Sequence, residues 1–154
     1  MTAFLGAALL VLTGWGGGMA AALQQQERWL QIHTFVRLLI RLRAEISYRA
    51  LPAGELLQEL EKDAAFSRLG LAGCVRLEEL PVPDALEPSL REEVRTGLAA
   101  LSVLPREEVC RGLERLAALC EESAAECLAQ VNSCKTLYPR LGACLGATAA
   151  VLLL

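Results

Sequence analysis

The sequence predicts an all-α protein: a helical bundle over residues 24–136, flanked by an N-terminal transmembrane helix at 1–23 and a short C-terminal transmembrane segment at 137–154. Three observations predict it. Apolar residues make up 54% of the 154 and aromatic ones only 5%, with a mean hydropathy of +0.38, too apolar for an ordinary soluble domain of this size. Every charged side chain lies between Glu27 and Arg140, so both ends are uncharged. Between the ends, apolar residues recur at three- and four-residue spacing, the repeat of an amphipathic helix, and nothing alternates as a strand would.

The first uncharged run, residues 3–23, is long enough as a helix, at roughly 1.5 Å per residue, to cross a hydrocarbon core about 30 Å thick. A cleaved signal peptide is the competing reading. No Lys or Arg precedes the run, however, and a signal peptide normally begins with one. The C-terminal run, started at Leu137, is a short span whose Arg140 reaches the headgroups along its aliphatic stem; a buried core helix is its alternative. Gly14 and Gly18, with Gly142 and Gly146, stand four apart in these runs, the small-residue spacing that lets helix backbones touch in lipid. Trp29 and Tyr138 sit where an aromatic belt is expected.

Charge orients the chain. Residues 24–50 carry a local balance of +3, residues 51–133 carry −8, and Lys135 and Arg140 add two positive charges before the tail, for a net −3. Basic collars beside both runs place the acidic middle in the cytoplasm by the positive-inside rule. The same balance excludes a nucleic-acid reader, which needs a basic excess to meet phosphates.

Trp29, Ile32, Phe35 or Val36, Leu39, Leu42 and Ile46 form the stripe of a first cytoplasmic helix. Pro52 fits the first turn of a second over residues 52–64, with Leu56, Leu57 and Leu60 turned inward. Glycines and prolines from Gly70 to Pro88 predict an irregular connection. Leu90, Val94, Leu98 and Leu101 mark a third helix, and Pro105 opens a last long one that Pro139 is expected to kink or end. Along it, Leu113, Cys120, Cys127, Cys134 and Leu141 recur every seven residues, a narrow seam for packing within the domain or against a second copy.

The sequence carries no recognisable catalytic chemistry. The six cysteines include no C-x-x-C, and thiols seven residues apart on one helix are separated by about 10.5 Å, too far to share an ion or a disulfide. They read as free thiols acting as small core residues in a reducing compartment. His33, the single histidine, lies just off the apolar stripe as a surface or boundary residue, and no G-x-S-x-G, Walker motif or G-x-G-x-x-G is present. No cofactor is expected, and any nucleotide-driven step falls to a partner. Arg37 and Arg41 share a helix face and are candidate contacts for a partner or for anionic headgroups. The pairs Glu78/Glu79, Glu92/Glu93, Glu107/Glu108 and Glu121/Glu122 are either an acidic docking surface or solvated helix faces.

Two local patterns carry a family resemblance. In residues 42–57 (LRAEISYRALPAGELL), Glu45, Ile46, Tyr48 and Pro52 form an E-I-x-Y-x-x-x-P element, and in KTLYPRLGACLGATAAVLLL, Lys135, Tyr138, Leu141, Gly142 and Gly146 form K-x-x-Y-x-x-L-G-x-x-x-G. In these, and in its layout of apolar ends around a helical middle, the chain resembles the stage III sporulation protein AB family of endospore-forming bacteria. It departs from that family's Leu-Gly turn and Asp start before the last helix, reading LSVLPREE at 101–108. Physically, Ile46 continues the stripe, Pro52 separates two helices, Glu45 can pair with Arg41 for tenths of a kcal/mol, and Tyr48 is expected to bury its ring with its hydroxyl on a partner. The element reads as a structural corner first and a docking point second.

The resemblance implies a non-enzymatic platform in the mother-cell membrane facing the forespore, within the channel-like apparatus that connects the two cells. It implies a helical domain similar to the cytoplasmic domains of type II secretion and type IV pilus platform proteins. Its implied partners are a stage III sporulation protein AA-type ATPase, met through residues such as Arg37, Arg41, Glu107 and Glu108, and other membrane proteins of the complex. Two alternatives stand beside it: a general secretion or pilus platform, and an exported thiol protein with a cleaved leader.

Overall fold

The computed structural model describes the backbone of residues 2–49 and 52–153, and the side chains of residues 20, 23–49, 52–133, 144 and 148. Among these the chain is all-helical. Helix α1 spans Thr2–Arg49, α2 Ala53–Glu61, α3 Pro88–Leu101 and α4 Arg106–Leu153, with short 3₁₀ turns at Ser67–Leu69 and Leu77–Glu79. The chain divides into two units. One comprises Met1–Arg28 and Glu126–Leu154, the other Trp29–Ala125, and the long helices α1 and α4 contribute to both.

The second unit is the bundle. On α1, Ile32, Phe35, Val36, Leu38, Leu39, Leu42 and Ile46 are buried. This stripe is wider than a single helix contact requires, because α1 has α2 on one side and α4 on another: Arg49 bonds Glu59 of α2, and Arg43 bonds Glu114 of α4 at 3.1 Å. The expected stripe is borne out except at its edges. Leu38, which it omitted, is fully buried, and Trp29, which it included, is only half-buried and stacks on His33 with ring centroids 5.1 Å apart.

Pro52 caps α2 rather than occupying its first turn, and its carbonyl accepts from the N–H groups of Glu55 and Leu56. Leu56, Leu57 and Leu60 are buried as expected. The helix stops at Glu61, short of the expected residue 64, because the Asp63 carboxylate takes the Ala65 N–H at 2.9 Å and offers the backbone another partner. Gly70 and Gly73 then turn the chain with φ of 68° and 80°, a conformation that only glycine enters without steric cost.

In α3, Val94, Leu98 and Leu101 are buried, while Leu90 is half-buried. Helices α3 and α4 touch closely: a Cβ on Gly97 would meet Leu116 at 3.0 Å, and one on Gly112 would collide with Leu101. Within this unit the seam of α4 is buried at Leu113, Leu116, Ala117, Cys120 and Ala124, and in the first unit Val131 is buried and Cys127 half-buried; Cys134 and Leu141 lie outside the described side chains. Pro139 does not end α4, which continues to Leu153. A proline inside a helix removes one hydrogen bond, and the turns on either side carry the helix past it.

The first unit is described at fewer side chains. Gln25 donates to Gln130 at 2.8 Å, joining α1 to α4, and the Cys127 thiol points to the Gln25 carbonyl at 3.9 Å. Among the described residues no helix is long and apolar enough to cross a membrane. The two expected spans gain no support there, since they fall chiefly on residues whose side chains lie outside the description.

Because Phe35 is fully buried among these leucines, Phe35→Ala should lower unfolding stability by roughly 3–5 kcal/mol. The midpoint of denaturant unfolding, followed by helical circular dichroism, measures this; a shift under about 0.5 kcal/mol would contradict the described core.

Candidate docking surface

The E-I-x-Y-x-x-x-P element forms the corner between α1 and α2. Glu45 is the centre of an ion-pair chain: its carboxylate holds Arg41 and Arg49, each at 3.1 Å, and Arg49 continues to Glu59 of α2 at 2.9 Å. Ile46 is buried, and Pro52 separates the helices, as expected of both. Tyr48 corrects the expectation made for it. Its ring is 88% exposed, because two residues beyond Ile46 is about 200° around the helix, on the face opposite the core.

This corner shares one end of the bundle with the α3–α4 turn. Ile46, Pro52, Gly54, Val75, Leu101 and Leu104 line a cavity of about 760 Å3, and the Arg106 guanidinium donates to the Ser47 carbonyl near the end of α1. Val75, Val103 and Leu104 are exposed around it, and Glu107 and Glu108 stand in the first turn of α4. The turn at 75–79 that forms one wall is held by Glu79, whose carboxylate accepts from the N–H groups of Val75 at 2.7 Å and Arg76 at 3.2 Å. Those backbone bonds hold the Glu79 pKa below its ordinary value. Nothing in the sequence pattern singles out this wall; the Val75 to Leu80 run is too short to show a period.

Arg37 lies away from this end on the exposed outer face of α1, while Arg41, also exposed, bonds Glu45 of the corner and lines a depression against α2 with Leu56, Glu59 and Leu60. Among the candidate partner contacts, then, the two glutamates share the bundle end with Ile46 and Pro52, and the two arginines share the outer face with Tyr48. Gly14, Gly18, Gly142 and Gly146 lie outside the described side chains. A second depression of about 550 Å3 runs between α3 and α4, over Gly97 and Gly112, with Glu92, Glu93 and Arg115 along it. His33 is exposed and stacked, and among the described residues no group of His, Cys, Asp or Glu is placed to hold a metal ion. Cys120 is fully buried, and burial pushes its thiol up to about 11.

The family model for stage III sporulation protein AB matches residues 3–98. The chain belongs to the stage III sporulation protein AB family. It therefore has a role in sporulation. The match takes in the first uncharged run and the whole corner, and it stops within α3, just before the 101–108 turn at which the sequence departs from the family's pattern. The C-terminal K-x-x-Y-x-x-L-G-x-x-x-G element lies beyond it. No curated protein and no solved structure matches the chain.

Two outcomes follow from this geometry. With a depressed Glu79 pKa, the turn's stabilisation is present above the unfolded carboxyl's pKa and lost as pH falls through the lower folded value. Amide hydrogen exchange at Val75 and Arg76, corrected for intrinsic rates, should rise on such acidification, and Glu79→Gln should raise it at neutral pH. Thiol labelling at neutral pH should modify half-buried Cys110 well before Cys120, which should react only on unfolding; equal rates would contradict the described burial.

Proposed function

We propose that the protein is a non-enzymatic, membrane-anchored platform of the channel-like apparatus between mother cell and forespore. It sits in the mother-cell membrane facing the forespore, with its bundle in the cytoplasm. The observation that carries this reading is the family match over residues 3–98, because it joins the uncharged N-terminal run and the docking corner in one pattern. The charge distribution supports the anchoring, since uncharged runs at both ends are each bordered by a basic collar.

The partner is a stage III sporulation protein AA-type ATPase. The bundle end receives it: the 760 Å3 cavity bordered by exposed Val75, Val103 and Leu104 supplies apolar area, Arg76, Glu78 and Arg106 put charge in its lining, and Glu107 and Glu108 follow Arg106 in the first turn of α4. Along the chain this end is more than twenty residues from either uncharged run, which leaves it accessible to a cytoplasmic protein. The uncharged runs, with Gly14, Gly18, Gly142 and Gly146, contact other membrane proteins of the complex.

Deletion should block forespore development after engulfment, and normal spore formation by the deletion strain would refute the assignment. Gentle detergent extraction of the intact protein from sporulating membranes should recover the ATPase, and Glu107→Lys/Glu108→Lys should reduce that recovery at least about tenfold, as expected when like charges are brought together across an interface. Recovery of membrane proteins without the ATPase would remove the docking role and leave a structural member of the complex.

A further inference from the structure

We propose that the outer face of α1 in one copy of the protein seats in the α3/α4 groove of a second copy. The first observation is a face of α1 exposed except where Arg41 borders α2. Arg37, Ile40, Arg41, Ala44 and Tyr48 follow at three- and four-residue steps and share the side of α1 away from the core. Ile40 is 48% exposed and Tyr48 88%. Among the described residues Arg37 has no ion pair, and Arg41 keeps 60% of its side chain exposed although it bonds Glu45.

The second observation is a groove with the complementary character. Its floor is apolar, formed by Ala100, Leu101 and Leu116, and deepened where Gly97 and Gly112 present no side chain. Glu92 and Glu93 stand along it on α3 and Arg115 on α4, none of them in an ion pair among the described residues, so the acids outnumber the base. A helix bearing two arginines around an isoleucine fits such a groove, with its guanidinium groups on the carboxylates and its aliphatic side chain on the floor.

Level along the bundle identifies the occupant as a second copy. Ile46 and Leu101 line the same cavity, and Arg106 reaches the Ser47 carbonyl, so α1 and α3 run toward one end and finish together. Arg37 precedes Ile46 by as many residues as Glu92 precedes Leu101, about 14 Å of helix in each case. Copies related by an axis along the helices therefore bring Arg37 level with Glu92 and Arg41 level with Thr96, and place Ala44 within one residue of Ala100. The side chains that would face each other are of opposite charge, Arg37 and Arg41 on the stripe against Glu92 and Glu93 in the groove. Because the stripe and the groove are different surfaces, the contact is heterologous and repeats into a ring or a row. It rests on the membrane-anchored reading only in that a shared membrane holds the copies at one level.

The test uses two differently tagged full-length copies expressed together during sporulation, one carrying Ile40→Cys and the other Thr96→Cys, positions within one residue of the same level. Membranes are treated with copper phenanthroline, and the disulfide-linked species carrying both tags is measured. It should exceed the product from the native cysteines by at least about tenfold, fall back with Arg37→Glu/Arg41→Glu in the first copy, and return when the second carries Glu92→Arg/Glu93→Arg. A mixed-tag product no stronger than the native background, or one indifferent to charge reversal, overturns the proposal. So does loss of the ATPase, rather than of the cross-link, on reversing Arg37 and Arg41, because the stripe would then belong to the ATPase. A strong, charge-dependent cross-link without recovery of the ATPase upholds this contact and removes the platform's docking role, so the two readings fail separately.

Discussion

The bundle depends on a core whose buried residues, among those described, are all apolar. In the bundle these run from Ile32 on α1 to Ala124 on α4, with no polar or charged residue among them. Apolar burial drives collapse but has no direction, so such a core cannot by itself choose one arrangement of four amphipathic helices. The choice falls to shape. Gly97 lies under Leu116, Gly112 under Leu101, and Gly54 so near the Val75 carbonyl that an added Cβ would lie 2.8 Å from that oxygen. Each pair admits one close register between its two segments, and a shift of one residue replaces a glycine with a side chain that does not fit.

Polar groups act at the rim of this core, where they orient more than they stabilise. The chain Arg41–Glu45–Arg49–Glu59 joins the end of α1 to α2, and Arg43–Glu114 joins α1 to α4. Exposed pairs of this kind are worth about 0–1 kcal/mol each. Arg91 gathers the 84–86 loop onto α3 through the Asp84 carboxylate and the Leu86 carbonyl. Arg106 holds the Ser47 carbonyl, in the last turn of α1, where carbonyls lack an intrahelical partner. The E-I-x-Y-x-x-x-P element condenses this division of labour into eight residues: Ile46 inside, Glu45 at the rim, Pro52 at the break, and Tyr48 wholly outside.

Tyr48 also shows where sequence reasoning reaches its limit. The α1 stripe was legible because leucines at helical spacing have one place to go, and the α2 and α3 helices were legible for the same reason. Leu38 was missed because a single periodic stripe describes one contact, whereas α1 is flanked by two helices and buries a wider arc. Tyr48 was misjudged by residue type, although its register relative to Ile46 already turned it outward. The Leu77–Glu79 turn was not legible at all, since a carboxylate folding back on Val75 and Arg76 leaves no periodic trace. Of the candidate contacts, type and charge could be read, but not that the arginines and the Glu107/Glu108 pair occupy separate surfaces.

The separation of charge makes that last point consequential. Of the described ion pairs, Arg43–Glu114 is the one that brings a basic residue of α1 to an acid of α4, and no described pair joins α1 to α3. Glu92, Glu93, Glu107 and Glu108 are left without an internal partner, as is Arg37. A solitary domain in water gains little from segregating its charges this way, and like charges crowded on one face repel each other. Segregation becomes useful when the faces meet other molecules, because it steers the encounter and penalises the wrong orientation. Two exposed apolar surfaces coincide with the segregated charge: Ile40 and Tyr48 beside the arginines, and Val103 and Leu104 beside Glu107 and Glu108. They lie on different parts of the bundle, so occupation of one leaves the other open, and a single small domain can hold a neighbour at its side while its end engages a different partner.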